Sequence, residues 1–139
     1  MSNINRIFGL FDDGKNDTPP QEIYIDFMNT PQGKIGMFVK LIHNNIVFNH
    51  KLKQFFKQVD KEFDEQETKK SSEFTVFSRA WYYIKDIDVD QEEHLYTLLK
   101  QDTIYLLSAL ELAVKHFENR EEYEKCAHIH KIEKTVKTF

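Results

Sequence analysis

The sequence has little of several features that define large protein classes. Cys126 is the only cysteine, so an intramolecular disulfide framework is excluded and a reducing compartment is favoured. No apolar run approaches the roughly eighteen residues that a membrane-spanning helix needs, and the first residues lack the pattern of a signal peptide. Four glycines and three prolines are too few for a turn-rich β fold. We therefore expect a cytoplasmic protein with no membrane partner.

Signatures of catalysis are missing as well. The chain has no Gly-rich phosphate loop, no Gly-x-Ser-x-Gly elbow, no His-Glu-x-x-His helix and no deaminase signature. Its formal net charge of −4 gives no global attraction to the phosphates of DNA or RNA. These absences predict a protein that is not an enzyme and uses no cofactor. Nucleic acid is a less favoured partner than another protein.

The spacing of the apolar residues is helical over most of the chain. They recur every three or four positions within residues 35–46, 52–63, 74–84, 95–117 and 123–136. Because the connectors between these segments are short, the helices should pack as antiparallel neighbours. The pattern predicts an all-α fold, a compact antiparallel bundle of four to six helices.

The chain length suits one domain, and the segment before the first helix begins with a short apolar cluster and then turns polar, which is typical of a mobile tail. We expect a flexible tail over residues 1–17 and a single helical domain over residues 18–139. The stretch from Asp90 to Glu118 has the strongest periodicity and should form one central helix. The expected core members are Phe77, Trp81, Leu99, Leu106, Leu110 and Phe117.

Capping residues predict where several helices begin. Thr18-Pro19 and Thr30-Pro31 each place an N-cap residue before a proline, which predicts a short helix near 19–28 and a longer one from 31. Residues 22–27 also alternate as a half-buried strand does, so a strand stays open there. Asn49 can cap a new helix, so the segments on either side of it form either one bent helix or two. One of Ser71 and Ser72 and one of Asp88 and Asp90 are the expected caps of the helices that follow.

Two clusters have the residue types of a metal site but not the full pattern. The acidic run that begins at Asp86 has Gln91 and Thr97 where a calcium loop needs Gly and a bidentate Glu. Cys126 and His130 are four residues apart, as zinc ligands on a helix are, but no second pair accompanies them. We expect no metal site, a core position for Cys126 and Ala127, and a solvent-facing His128.

The N-terminal patch consists of Ile7, Phe8, Leu10 and Phe11, followed by Asp12-Asp13. An apolar cluster on a polar segment is typical of a linear motif that folds into a groove of a partner. Its Leu-Phe ending resembles peptides that dock onto bacterial sliding clamps, although the leading Gln of those peptides is absent. We predict that these four residues bind another protein; the alternative is that they cover one end of the bundle. Tyr82 and Tyr83 are a second expected contact surface.

A lysine stripe lies on the second long helical segment. Lys53, Lys57 and Lys61 recur every four residues, with Lys51 nearby. Such a stripe is common on a solvated helix face, and its alternative role is to bind the phosphates of a nucleic acid. These four residues are the candidate nucleic-acid site.

Residues 117–132 contain Tyr123-Glu124 and Cys126-Ala127, which match an aromatic-Glu-x-Ala-Ala core. This segment resembles the UVR motif, a helical-hairpin interaction element of repair and regulatory proteins. His130 and Lys131 stand where that motif has Arg-Asp, and the resemblance covers under a fifth of the chain. It implies a helical hairpin rather than a role in repair.

The favoured function is that of an accessory, adaptor or inhibitor protein that binds another protein. The excess of lysine over arginine resembles proteins encoded by AT-rich genomes, which include those of many bacteriophages. Two alternatives stay open. One is an accessory factor of replication or transcription that contacts nucleic acid through the lysine stripe, and the other is a structural subunit that assembles into homo-oligomers.

Overall fold

The computed structural model describes residues 20–58 and 65–139, and these residues form six α-helices and no β-strand. The helices are α1 (Pro20–Met28), α2 (Pro31–Gln58), α3 (Glu65–Ile84), α4 (Glu92–Lys100), α5 (Thr103–Asn119) and α6 (Tyr123–Thr138). The prediction of an all-α, compact helical bundle is confirmed. Residues 22–27 belong to α1, so the strand alternative is wrong. The predicted tail lies outside the described residues.

The long helices α2 and α3 form an antiparallel hairpin, and the other helices pack on it. Lys34 near the start of α2 pairs with Asp86 just after α3 (3.2 Å), and Asn45 contacts Ser72 farther along (3.1 Å). Helix α5 contacts α2, α6 packs along α5, and α1 and α4 lie against α2. Because α1, α4 and α5 all contact α2, the gaps between these three helices lie over α2.

The core lies where α5 and α6 meet the hairpin. Phe77, Leu106, Leu110 and Phe117 are buried, as predicted, whereas Trp81 is only partly buried. The remaining buried apolar residues are Ile35, Phe38, Ile42, Ala80, Ile84, Ile87, Leu98, Ala109, Ala113, Val114, Cys126, Ile129, Ile132 and Val136.

The predicted central helix is in fact two helices, because the chain turns at Gln101 and Asp102. The Asp102 carboxylate accepts hydrogen bonds from the backbone N–H groups of Ile104 and Tyr105 (3.0 and 3.2 Å), so it caps α5. The break rotates α4 relative to α5. As a result Leu98 is buried while Leu99, a predicted core residue, is 40% exposed.

Three of the predicted caps are wrong. Asn49 lies inside α2, and Ser71 and Ser72 lie inside α3. The N-cap of α4 is Gln91, not Asp88 or Asp90. The Asp88 carboxylate accepts a hydrogen bond from the Asp90 N–H (2.9 Å) and so does not cap α4. In each case the polar side chain is used elsewhere in the fold. By contrast, Thr30 caps α2 as predicted, since its hydroxyl accepts the Gly33 N–H (3.1 Å).

The turn between α5 and α6 reverses the chain through Glu121, whose φ is 59°. The Glu121 N–H donates to Glu118 O (3.0 Å) and the Glu122 N–H donates to Phe117 O (2.9 Å), which is the Schellman pattern at a helix C-terminus. That pattern needs a left-handed residue at the position of Glu121, where glycine has no Cβ penalty. Glycine would therefore be more stable than glutamate in the backbone conformation of residue 121.

Replacing Glu121 with glycine should raise the free energy of unfolding by about 0.5–1 kcal/mol, because the left-handed backbone is then unstrained. Urea unfolding followed by circular dichroism measures the change. The control is Glu124→Gly, within the first turn of α6, which should lower the free energy of unfolding. A decrease for Glu121→Gly would show that the carboxylate contributes more than the strain costs.

None of the helices in the described residues is both long enough and apolar enough to cross a bilayer.

Candidate functional site: an apolar groove over α2

A groove runs over α2, with α1 on one side and the α4–α5 junction on the other. It consists of two adjoining cavities of about 320 and 410 Å³ that share Gly36, Lys40 and Gln101. We call it the α2 groove. Its other lining residues are Tyr24, Phe27, Met28, Gln32, Gly33 and Met37 on the α1 side, and Val39, His43, Asp102, Tyr105 and Leu106 on the α5 side.

The α1 wall is held by a tight turn between α1 and α2. The Thr30 hydroxyl donates to the carbonyl of Phe27 (2.6 Å) while it caps α2, so one side chain ties the two helix ends together. Gly33 allows the close approach: a Cβ there would collide with the carbonyl oxygen of Phe27 and lie 2.9 Å from the Cα of Met28. The sequence at Thr30-Pro31 and Gly33 therefore sets the position of this wall.

The floor of the groove is open at Gly36. A Cβ built on Gly36 meets no atom within 4 Å, although Gly36 lies inside a helix, where glycine costs about 0.5–1 kcal/mol relative to alanine. The absence of a side chain at this position leaves room in both cavities. This space above Gly36 can hold a side chain of a binding partner.

The α5 wall begins at the Asp102 cap. The ring of Tyr105 packs edge-on against His43 of α2, with 5.4 Å between the ring centroids. Tyr105 is 54% exposed. Across the groove Phe27 is 50% exposed. Large apolar side chains therefore remain uncovered on both walls.

The chemistry of the groove favours binding. Apart from tyrosines, its titratable residues are Lys40, His43 and Asp102, and the Asp102 carboxylate already caps α5. No group of three or more His, Cys, Asp or Glu residues able to hold a metal occurs in the part of the chain that the structure describes. The groove offers apolar surface with one cationic side chain at its centre.

The residues of the two metal hypotheses are used structurally. Cys126 is buried, its Sγ lies 3.7 Å from Val114 O, and burial raises the pKa of its thiol. His130 is exposed beside Glu118 and Glu133, so it does not meet Cys126. The hydrogen bond from the Asp90 N–H lowers the pKa of Asp88.

Two side-chain orientations differ from expectation on α6. The prediction that His128 faces solvent is wrong: its Nε2 lies 2.9 Å from Ile84 O, and its ring packs edge-on against Trp81. Ala127 is exposed, although we expected it in the core. The His128 contact joins α6 to the end of α3, so its role is in the fold.

The N-terminal patch of Ile7, Phe8, Leu10 and Phe11 lies outside the described residues. So does Lys61 of the candidate nucleic-acid site.

The remaining lysines of that candidate site, Lys51, Lys53 and Lys57, are exposed on α2. Lys53 and Lys57 are one turn apart, whereas Lys51 lies roughly on the opposite side of the helix. The structure therefore does not join all three in one stripe.

Of the expected tyrosine surface, Tyr82 is exposed and Tyr83 is partly buried against the core. The rings of Tyr82 and Tyr83 pack edge to face with 5.4 Å between centroids. They line a cavity of about 380 Å³ together with Tyr24 and Met28 of α1. Helix α1 thus borders this cavity as well as the α2 groove, and its exposed Tyr24 lines both.

The sequence reasoning missed the α2 groove. The signal that could have indicated it is the pair Gly33 and Gly36 in the first turns of an otherwise strongly amphipathic helix. Glycine inside a helix is destabilising, so two of them three residues apart suggest a close approach or an open surface.

Comparison with known proteins adds no relative. No protein-family model, no curated protein and no solved structure matches this chain.

Proposed function

We propose that this chain is a non-enzymatic accessory or adaptor protein of the cytoplasm, and that the α2 groove binds a short apolar segment of another protein. The observation that carries the proposal is the uncovered apolar surface on both walls of the groove. Exposed apolar patches of this kind commonly mark binding sites for other proteins.

The size of the groove suits a few side chains of a peptide. Burying one large apolar side chain contributes about 1.5–3 kcal/mol, so two anchors could supply a useful affinity after the cost of association. One anchor fits over Gly36, where no side chain occupies the floor, and another fits between Tyr105 and Leu106. Lys40, which borders both cavities, favours a segment with an acidic residue next to its apolar anchors.

The test fills the groove without harming the fold. Gly36→Leu adds a side chain to open space, and it should raise the free energy of unfolding by about 0.5–1 kcal/mol because leucine favours a helix. A tagged wild-type chain and this variant are compared by pull-down from the native cell and quantitative mass spectrometry. We expect the specific partner to be lost from Gly36→Leu by tenfold or more, although the variant is the more stable protein.

The matched control is Ser78→Leu, which adds the same side chain at an exposed site on α3 away from the lining residues. It should retain the partner. Equal recovery of all partners by the wild-type chain and Gly36→Leu would contradict the groove proposal.

The N-terminal patch is a second contact in this proposal. A chain that starts at Thr18 lacks Ile7, Phe8, Leu10 and Phe11 and is compared in the same pull-down. Loss of a partner would assign these residues to binding in trans. Stronger recovery of a partner would instead indicate that the patch covers the groove in the full chain.

A further inference from the structure

A second surface lies at the other end of the hairpin. Beyond Asn45 in α2 and before Phe77 in α3, no residue whose side chain the structure describes is buried. We call residues 46–58 and 65–74 the arm. Thirteen helical residues at about 1.5 Å each extend it roughly 20 Å from the bundle. The arm therefore exposes most of its surface.

Polar contacts hold the two helices of the arm together at its base. The side-chain amide of Asn45 donates to the Ser72 hydroxyl (3.1 Å), and that of Asn49 donates to Asn45 Oδ1 (3.3 Å) and reaches Glu73 Oε1 (3.4 Å). Leu52 follows Asn49 by three residues on the same face of α2 and is partly buried, so this inner seam is partly apolar. The phenylalanine residues that are about half exposed lie outside the seam and are available for another contact.

Three of the apolar residues of the arm form a stripe along α2. Phe48, Leu52 and Phe55 are spaced i, i+4 and i+7, the spacing of residues that contact a second helix. Phe48 is 44% exposed and Phe55 is 52% exposed, while Leu52 is partly buried. This arm stripe leaves its two phenylalanine side chains about half exposed.

The charge of α2 indicates what the stripe would bind. Its 28 residues include five lysines and no aspartate or glutamate, although the whole chain has a net charge of −4. Lys51, Lys53 and Lys57 are exposed and form no ion pair with another described residue. Lys51 follows Phe48 by three residues and precedes Phe55 by four, so it borders the stripe. An apolar stripe with an uncompensated cationic border complements an apolar helix with acidic flanks.

We propose that the arm stripe binds an acidic amphipathic helix of a partner protein, with Phe48, Leu52 and Phe55 in the contact and Lys51 paired to an acidic flank. This surface is independent of the α2 groove. Two separate binding surfaces would allow the chain to bridge two proteins, or to hold one protein at two points.

Nucleic acid would use a different side of the same helix. The basic residues His50, Lys53 and Lys57 lie one turn apart, away from the arm stripe. The affinity for a phosphate backbone should depend on these residues. The affinity for an acidic helix should depend on Lys51 and the aromatic rings instead. Charge reversals on the two sides of α2 therefore distinguish the two partners.

The experiment measures fluorescence anisotropy of labelled probes titrated with the full chain. One probe is a helical peptide of about 18 residues, long enough to cover the arm, with Leu at the a and d positions of a heptad and Glu elsewhere. The second has Lys in place of every Glu, the third is an oligothymidylate, and the fourth is a phosphatidylglycerol vesicle.

We expect the Glu peptide to bind at least tenfold more tightly than the Lys peptide. The double variant Phe48→Ser, Phe55→Ser should weaken the Glu peptide tenfold or more, and Lys51→Glu should weaken it more than Lys57→Glu does. Circular dichroism checks that each variant folds; all four positions are exposed. Gly36→Leu, which fills the α2 groove, should leave this binding unchanged, so failure of one proposal is distinguished from failure of the other.

Several results would overturn the proposal. Equal binding of the Glu and Lys peptides, or an effect of Lys57→Glu at least as large as that of Lys51→Glu, would remove the acidic-helix partner. Tighter binding of the oligonucleotide or the vesicle would assign the arm to a polyanion or a membrane surface. Light scattering that shows a dimer, which the Phe48→Ser, Phe55→Ser variant dissociates, would assign the stripe to a second copy of this chain.

Discussion

Phe117→Ala should lower the free energy of unfolding by about 3–5 kcal/mol, the largest effect of any single substitution considered for this chain. Phe117 is 1% exposed, and its ring packs edge-on against Phe77 and Trp81, with centroids 6.4 and 6.0 Å away. Truncation leaves a cavity where α5 meets α3, and the surrounding rings cannot fill it without moving. Urea unfolding followed by the fluorescence of Trp81, the single tryptophan, measures the loss.

The matched control is Leu99→Ala. The periodicity of the sequence predicts both residues in the core. Leu99 is exposed, however, because α4 ends before Asp102 and α5 runs in another direction. Its truncation should cost under about 1 kcal/mol. Similar losses for Phe117→Ala and Leu99→Ala would contradict the orientation of α4 and the two-helix description of residues 92–119.

Gly33→Ala and Gly36→Ala should change stability in opposite directions, although the two glycines lie three residues apart on α2. At Gly33 the new methyl group collides with backbone atoms of Phe27 and Met28, which cannot rotate away, so α1 must shift. We expect a loss of about 1–3 kcal/mol. At Gly36 the methyl group meets nothing, and we expect a gain of about 0.5–1 kcal/mol from helix propensity.

Chemical unfolding gives the two free energies, and hydrogen exchange of α1 locates the damage. Faster exchange of the α1 amides in Gly33→Ala, with the α5 and α6 amides unchanged, would show that the substitution releases the groove wall alone. A stabilising effect of Gly33→Ala would contradict the close approach of α1 to α2. That approach positions Tyr24 and Phe27 along the groove.

Periodicity was sufficient to predict α2, α3 and α6 because each of these helices buries apolar residues along one face. Ile35, Phe38 and Ile42 on α2 follow the spacing of a helix that packs on one side, and Thr30-Pro31 marks its start. The same rule merged α4 with α5, because apolar residues continue on both sides of Asp102. The Asp102 carboxylate accepts hydrogen bonds from two backbone N–H groups and so starts a new helix, α5, just after α4 ends.

Local polar chemistry was harder to predict, because it depends on which helices become neighbours. Asn49 and Ser72 have the residue types of caps, yet both contribute to the polar seam of the hairpin. His128 bonds to a carbonyl on α3 that is 44 residues away in sequence. The spacing of residues within one helix cannot predict a contact between two helices of this kind.

The candidate site depends on tertiary structure even more strongly. Gly33 and Gly36 are visible in the sequence, but only the packing of α1 makes one a contact point and leaves the other as open floor. The opposite wall comes from Tyr105, more than sixty residues later in the chain. A groove between three helices leaves no continuous pattern in the sequence.

The central claim, that the α2 groove binds another protein, is tested most directly by photo-crosslinking in the native cell. Benzoylphenylalanine replaces Tyr105, which lines the groove, or Tyr123, which is similarly exposed at the start of α6. We predict a discrete crosslinked partner from Tyr105 and none from Tyr123. A partner crosslinked from Tyr123 but not from Tyr105 would contradict the claim, and would move the contact to the α5–α6 hairpin.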